Sequence, residues 1–348
     1  MIDHAEVDHY RRVVAAVRER GLIPMVTLNH FTLPAWLGAM GGWRHPSAPG
    51  RFERYCRSVV AALGDAVDWY CTINEPGAVA FGGYLGVLGF PPGFRDVGSW
   101  KRAISGLTEG HRLAVEAVHA VRPGARAGAT HSMQEWEADA GGRAAVDYLR
   151  RMNEDVFLEA SAGDDFVGVQ TYTRARVEAP AIVSPLIRTA LAVPALEAAL
   201  VPVAVRWAAG HATAAVAGRN ERLTQMGYEF RPEAVAATIG RVAALYPGRD
   251  IVVTEHGVAT DDDAQRVEFI SRGLASIHAL MEAGLPIRGY IHWSLLDNFE
   301  WAHGYAMTFG LVGVDRATLA RTIRPSARFL GGVARTGRLA VDGASSRR

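Results

Sequence analysis

A parallel α/β fold of the barrel type follows from three features of the 348-residue sequence. Helical and buried-strand patterns alternate along the chain. The strands read as continuous apolar runs, the pattern of strands covered on both faces. Polar side chains gather where those runs end, at His30, Asn74, Glu75, Tyr172, Glu255 and Trp293. In a TIM (β/α)8 barrel the loops after the strands converge on one mouth, and that is where such residues belong.

The elements follow in order. Val7, Tyr10, Val14 and Val17 recur at helical spacing, and Gly21 stops a first helix over 5–20. The run "LIPMVTLNH", 22–30, is the first buried strand. A helix over 51–64 precedes a strand over 67–74, and one over 101–121 precedes "ARAGATHS", 125–132. A helix over 144–160 precedes "DFVGVQTYT", 165–173. Helices over 232–245 and 263–283 precede strands over 250–256 and 287–296, and a last helix covers 324–335. The glycine-rich "GGYLGVLGF" leads into Pro91-Pro92-Gly93 and reads as a loop. A doubly wound nucleotide-binding sheet is the competing fold, but the chain has neither GxGxxG after a first strand nor GxxxxGK[ST]. Six strands are found, two fewer than a full barrel needs. Residues 1–336 are expected to form one incomplete barrel domain, and 337–348 a disordered tail.

Composition narrows the function. Apolar residues make up 49% and charged residues 21%, with a net charge of +1. This balance points away from nucleic acid and from an anionic membrane surface. Cys56 and Cys71 show no zinc-ligand spacing and read as two buried thiols of a reducing compartment. The N-terminus is charged from its third residue and shows no signal-peptide core. Arg188, Glu197 and Arg206 break the apolar stretch 181–217 into runs too short to span a bilayer. The expectation is a cytoplasmic protein without metal or organic cofactor.

The chemistry lies in two glutamates. "VTEHGVAT", 252–259, and "DWYCTINEP", 68–76, are buried runs that end in a carboxylate, Glu255 and Glu75. A buried carboxylate is costly unless used or paired. Two at one barrel mouth equip a site to split a glycosidic bond, one protonating the leaving oxygen and the other attacking the anomeric carbon. Each alone also reads as an ion-pair member at a strand end.

These segments resemble glycoside hydrolase family 1, the β-glucosidase family. "TINEP", 72–76, is similar to its acid/base motif and "VTEHG", 253–257, to its nucleophile motif. "TLNHFTLPAWL", 27–37, resembles its third-strand motif, and "HWSLLDNFEWAHGYAMTFGLVGVD", 292–315, its C-terminal signature. The resemblance covers 5–335 and implies a retaining β-glycosidase. Glu75 is then the acid/base and Glu255 the nucleophile. Asn74 holds the sugar 2-hydroxyl, and His30 donates to the 3-hydroxyl. Trp293 floors the pyranose ring, while Glu300 and Trp301 grip the outer hydroxyls. Tyr172 bonds Glu255 and keeps it ionised and aimed. Taken singly, His30 also reads as a core histidine, Trp293 as barrel packing, Trp301 as a surface plug and Glu300 as a loop charge. His292 faces away from Trp293 and carries no role, and His303 reads as a loop residue.

The sequence departs from the family in several places. Two family βα units precede the helix that opens this chain, with a sugar-binding glutamine and an arginine beside the nucleophile. Three explanations stay open: a start further upstream, a truncated remnant, or a gap filled by another polypeptide or a second copy. His256 replaces the usual asparagine after the nucleophile, Gln170-Thr171 an Asn-Tyr pair, and Thr308 an arginine. The stretch 181–217 reads equally as an apolar lid on the aglycone side or as a helical hairpin packed outside the barrel. The expected partner is a small, unphosphorylated β-D-glycoside. A catalytically defective sugar-binding remnant and a transglycosidase are the alternatives. Oligomeric state, sugar and aglycone are not legible.

Overall fold

The computed structural model describes residues 3–86, 89–203 and 222–339, and its chain divides into two compact units. The elements run α1 (His4–Glu19), β1 (Met25–Asn29), α2 (Ala35–Ala39), α3 (Ala48–Leu63), β2 (Trp69–Asn74), α4 (Pro76–Tyr84), α5 (Val97–Val121) and β3 (Arg126–Ser132). Then come β4 (Glu135–Ala138), α6 (Arg143–Arg150), a π-helical turn (Arg151–Asp155), α7 (Val156–Ala160), β5 (Phe166–Gln170), β6 (Arg174–Val177) and α8 (Val183–Leu191). After α9 (194–203) the chain continues with α10 (Ala234–Leu245), β7 (Asp250–His256), α11 (Asp263–Glu282), β8 (Ile287–His292), β9 (Val312–Val314), β10 (Arg321–Ile323) and α12 (Pro325–Thr336).

Six strands form one sheet in the order β1-β2-β3-β5-β7-β8. The pairs β1–β2, β2–β3 and β7–β8 are parallel. This order decides between the two folds. A doubly wound sheet reverses its strand order at a switch point. Here each sheet strand neighbours the next in sequence, the rule of a (β/α) barrel. All six expected strands are present.

The first unit holds β1, β2, β3, the start of β5 and helices α1–α9. On α5, Trp100, Ala103, Ile104, Leu107, His111, Ala114 and Val118 are buried at helical spacing. Trp43, 1% exposed, fits against this helix. A Cβ on Gly106 would stand 1.9 Å from the Trp43 carbonyl oxygen, so only glycine admits that approach. The Trp43 N–H donates to the Tyr84 hydroxyl at 2.6 Å. Below the strand ends, Thr72 Oγ1 meets His111 Nδ1 at 2.8 Å, and His111 Nε2 lies 3.0 Å from Asp164 Oδ1. Asp164 Oδ2 accepts the Ala129 N–H at 3.0 Å. Every buried polar atom in this chain of contacts has a partner, the condition for burying it without penalty.

Two expectations need correction here. Part of "GGYLGVLGF" is helix: α4 runs to Tyr84, and Gly82 and Gly83 are buried in it. Packing overrides glycine's weak helix propensity. A Cβ on Gly77 would lie 2.0 Å from the Asn153 carbonyl of the π turn, and one on Gly83 2.7 Å from the Pro91 carbonyl. The helix expected over 144–160 is interrupted by that π turn. Of the stretch 181–217, residues 204–217 lie outside the described residues. In the rest, α8 meets α6 through Ser184 Oγ, which accepts the Ala144 N–H at 3.2 Å. The buried Glu197 of α9 takes Lys101 Nζ at 2.5 Å and the Tyr148 hydroxyl at 2.8 Å.

The second unit holds the end of β5, β7, β8, two small sheets and α10–α12. Parallel β4 and β6 are tied by charge: Arg174 reaches Glu137 at 2.7 Å and also pairs with Glu229, and Arg176 reaches Glu137 at 2.7 Å. Arg266, fully buried in α11, donates to the Thr260 and Thr308 carbonyls at 2.7 Å each and pairs with Asp263. No helix among the described residues is long and apolar enough to cross a membrane.

Candidate active site

In the first unit three expected site residues stand at the C-terminal ends of β1 and β2. His30 follows β1, and its Nε2 lies 3.4 Å from the Asn74 amide nitrogen. Burial pushes the imidazole down to about 4, so the ring is neutral near pH 7. A neutral imidazole offers one donor and one acceptor, as a sugar hydroxyl requires. Asn74, 2% exposed, accepts the Thr130 hydroxyl on Oδ1 at 3.0 Å. That bond orients the amide with its nitrogen toward His30.

Glu75 is held in an unusual backbone state. Its φ of 45° and ψ of 59° lie in the left-handed region, where a side chain with a Cβ is strained. Its N–H donates to the Thr130 carbonyl at 2.9 Å, and its own carbonyl accepts from Val79 at 3.0 Å. The residue therefore ends the strand ladder and begins α4 at once, with Pro76 at the first helical position. Among the described residues, φ is positive outside glycine only at Phe31, Glu75, Trp301 and Leu319. Two of these are expected site residues and a third adjoins His30. Such strain persists where surrounding structure enforces it, and it concentrates at functional sites.

In the second unit Glu255, 8% exposed, is the next-to-last residue of β7. The Tyr172 hydroxyl donates to Glu255 Oε2 at 2.5 Å. The Tyr172 ring is met edge-on by Phe309, centroids 6.0 Å apart. The Thr171 N–H donates to the Glu255 carbonyl at 3.3 Å, so backbone and side chain are both tied.

Beyond Glu255 the strand ends of β7 and β8 close on each other. The Trp293 N–H donates to the His256 carbonyl at 3.1 Å. A Cβ on Gly257 would stand 1.9 Å from the Trp293 carbonyl oxygen. Gly257 thus ends the run because another backbone occupies the space a side chain would need. Trp293 lies just past β8, which stops at His292 rather than at 296. Its indole N–H donates to Glu300, and burial raises that carboxyl above its usual value against the bond's opposing effect. The Glu300 N–H donates to the Gly304 carbonyl at 2.6 Å. Trp301, with φ 40°, opens a short 3-10 turn over Trp301–His303, so His303 belongs to a turn of helix. Asp297 anchors this loop, accepting the Gly310 N–H at 2.8 Å and both ends of the Arg324 guanidinium at 3.0 and 2.8 Å.

Within the units, then, the structure joins His30 to Asn74, Tyr172 to Glu255, and Trp293 to Glu300. Sequence reasoning missed Thr130, which orients Asn74 and holds the Glu75 backbone. Its only signal is its place near the end of "ARAGATHS". It noted His256 only as a departure from the family motif and did not single out Tyr290. The departures from the family are accommodated locally. Thr171 Oγ1 bonds Thr238 Oγ1 at 2.7 Å, and Thr308 Oγ1 reaches Gln225 Oε1 at 2.8 Å.

Known proteins agree with this picture. The model of glycosyl hydrolase family 1 matches residues 1–146 and 151–338. β-Glucosidase A of Thermotoga maritima is 28% identical over 93% of this chain and 76% of its own length. A bifunctional β-D-glucosidase/β-D-fucosidase of Bifidobacterium breve is 31% identical over 92% of this chain and 76% of its own. Among solved structures, β-glycosidase BGL167 superposes with a TM-score of 0.77 at 33% identity, over 99% of this chain and 80% of that one. The Thermotoga maritima family 1 β-glucosidase in complex with isofagomine lactam gives 0.81 at 26%, over 98% and 80%. An α/β barrel bearing carboxylates at its strand ends is the class these observations define. The chain belongs to glycosyl hydrolase family 1, and as such it is a β-glycosidase, an O-glycosyl hydrolase of a family whose general mechanism retains configuration.

Proposed function

We propose that the chain hydrolyses an unphosphorylated β-D-glycoside by double displacement, with Glu255 as nucleophile and Glu75 as acid/base. The observation that carries this is the Tyr172–Glu255 bond of 2.5 Å, which fixes and orients the Glu255 carboxylate at the end of its strand. Glu255 attacks the anomeric carbon while Glu75 protonates the departing oxygen. A glycosyl ester on Glu255 results, and Glu75 then takes a proton from the water that hydrolyses it. Asn74 and His30 receive the 2- and 3-hydroxyls, a contact at the 2-position being one that strengthens at the transition state. Trp293 forms the apolar floor, its indole held by Glu300, and Glu300 with Trp301 grips the outer hydroxyls. A carboxylate at 300 repels a 6-phosphate, which supports an unphosphorylated substrate. Residues 1–336 form one incomplete barrel domain in this reading, followed by a tail over 337–348. Cys56 and Cys71 are buried thiols, which supports a cytoplasmic location.

The test is turnover of p-nitrophenyl β-glucoside by the full chain beside Glu255→Ala and Glu75→Gln. An active wild type, a β-configured first product and a loss of roughly a thousandfold or more in each variant are expected. A folded but inactive wild type, or an active Glu255→Ala, overturns the assignment.

A further inference from the structure

Behind Glu255 lies a hydrogen-bonded row that the mechanism above does not use. His256, 1% exposed, directs Nε2 at the Pro232 carbonyl, 3.1 Å away, and Nδ1 at the Tyr290 hydroxyl, 3.0 Å away. The same hydroxyl lies 3.2 Å from His292 Nδ1 and, more distantly, 3.5 Å from the His256 carbonyl. His292 is 7% exposed.

The protons in this row are assigned by elimination. A carbonyl only accepts, so His256 Nε2 carries a proton. Burial holds His256 down at about 4, against weaker opposing effects of the Pro232 carbonyl and Glu233, so its Nδ1 is bare at neutral pH. Tyr290 therefore donates its only proton to His256 Nδ1. Its oxygen can then only accept from His292, so His292 is protonated on Nδ1. Burial, His256 and Arg266 keep His292 neutral as well, which leaves a lone pair on its buried Nε2. The row has one direction: His292 to Tyr290 to His256 to Pro232.

Packing fixes the His256 ring. Phe269 stacks on it, centroids 4.5 Å apart and planes 28° apart. A Cβ on Gly273 of α11 would lie 2.4 Å from His256 Cε1. The His256 backbone carries Glu255 on one side and receives the Trp293 N–H on the other.

We infer that Tyr290 and His292, acting through His256, are positioning residues that hold the end of β7 and thereby aim Glu255. This rests on Glu255 being the nucleophile. The arrangement depends on His256, one of the residues at which the sequence departs from the motif it resembles.

The first arm of the test reads tautomers and needs no activity. In the full chain labelled with 15N-histidine, signals are assigned by their loss in His256→Asn and His292→Gln. His256 should show a protonated Nε2 and a bare Nδ1, and His292 a protonated Nδ1. Tyr290→Phe should shift both. A His256 protonated on Nδ1, or signals indifferent to Tyr290→Phe, overturns the row. The second arm reads kinetics on an aryl β-glycoside. Tyr290→Phe should lower kcat about tenfold with KM within about twofold, the sign of lost alignment rather than lost binding. His292→Leu should do the same if Tyr290→Phe fails to fold, and His292→Gln, which keeps a donor, should recover most of the rate. An unchanged kcat in Tyr290→Phe and His292→Leu beside an inactive Glu255→Ala overturns the positioning role alone. A Glu255→Ala that keeps its activity overturns the nucleophile reading instead, while the spectra still judge the row.

Discussion

The Tyr172 hydroxyl donates a hydrogen bond to Glu255 Oε2 across 2.5 Å, and the two residues come from segments 83 positions apart in the chain. A phenol donating to a carboxylate is a charge-assisted bond, worth about 1.5–3 kcal/mol to the ionised acceptor. Tyr172→Phe keeps the ring against Phe309 and removes only that donor. Turnover of an aryl glucoside should fall by about ten- to a hundredfold, with the thermal midpoint nearly unchanged. A wild-type rate in the variant removes Tyr172 from the site.

The close passage of Gly257 beneath the Trp293 carbonyl makes a separate prediction. The obstructing atom is backbone, so a methyl there cannot be relieved by a rotamer change. Gly257→Ala should cost about 2–3 kcal/mol in urea denaturation and change tryptophan emission through displacement of Trp293. An alanine variant as stable as the parent would mean the strand ends are not packed as described.

Acid should weaken the fold through its neutral histidines. Burial pushes His30 and His256 down to about 4 and His292 well below its ordinary 6.5. Between those values and 6.5 the unfolded chain binds more protons than the folded one, so stability is complete above about pH 6.5 and declines as pH falls toward 4. Denaturant midpoints measured from pH 8 to 4.5 should be level at first and then drop. His256→Asn should flatten the drop by about one proton. A midpoint independent of pH below 6.5 contradicts the buried, neutral assignment.

Much of this was legible in the sequence because buried parallel strands advertise themselves. "WYCTIN" and "IVVTE" are mostly apolar or β-branched, and each expected strand falls within a few residues of the observed one. The carboxylates that interrupt such runs stand out for the same reason. What stayed hidden depends on contacts distant in sequence. The β4–β6 pair, "EWEA" against "RARV", is only four residues long and half-buried, and cross-strand ion pairs hold it in place of an apolar face. The π turn at 151–155, "RMNED", contains no glycine or proline that would mark a break in the helix. Helix α4 looks like a glycine loop until Asn153 and Pro91 are seen against it. Trp293 is read as part of a strand because nothing in its own segment shows Gly257 pressed against it.

The fit of the His256 ring over Gly273 bears on how the sequence came about. A methyl at 273 strengthens a helix by about 0.5–1 kcal/mol where space allows, yet here it would collide with the imidazole. Histidine at 256 is therefore admissible only in ancestors that already had glycine at 273, and its arrival closes the route back to alanine there. The two positions should be inherited as a pair, with the helix substitution permitted again only in descendants that have first given up the ring.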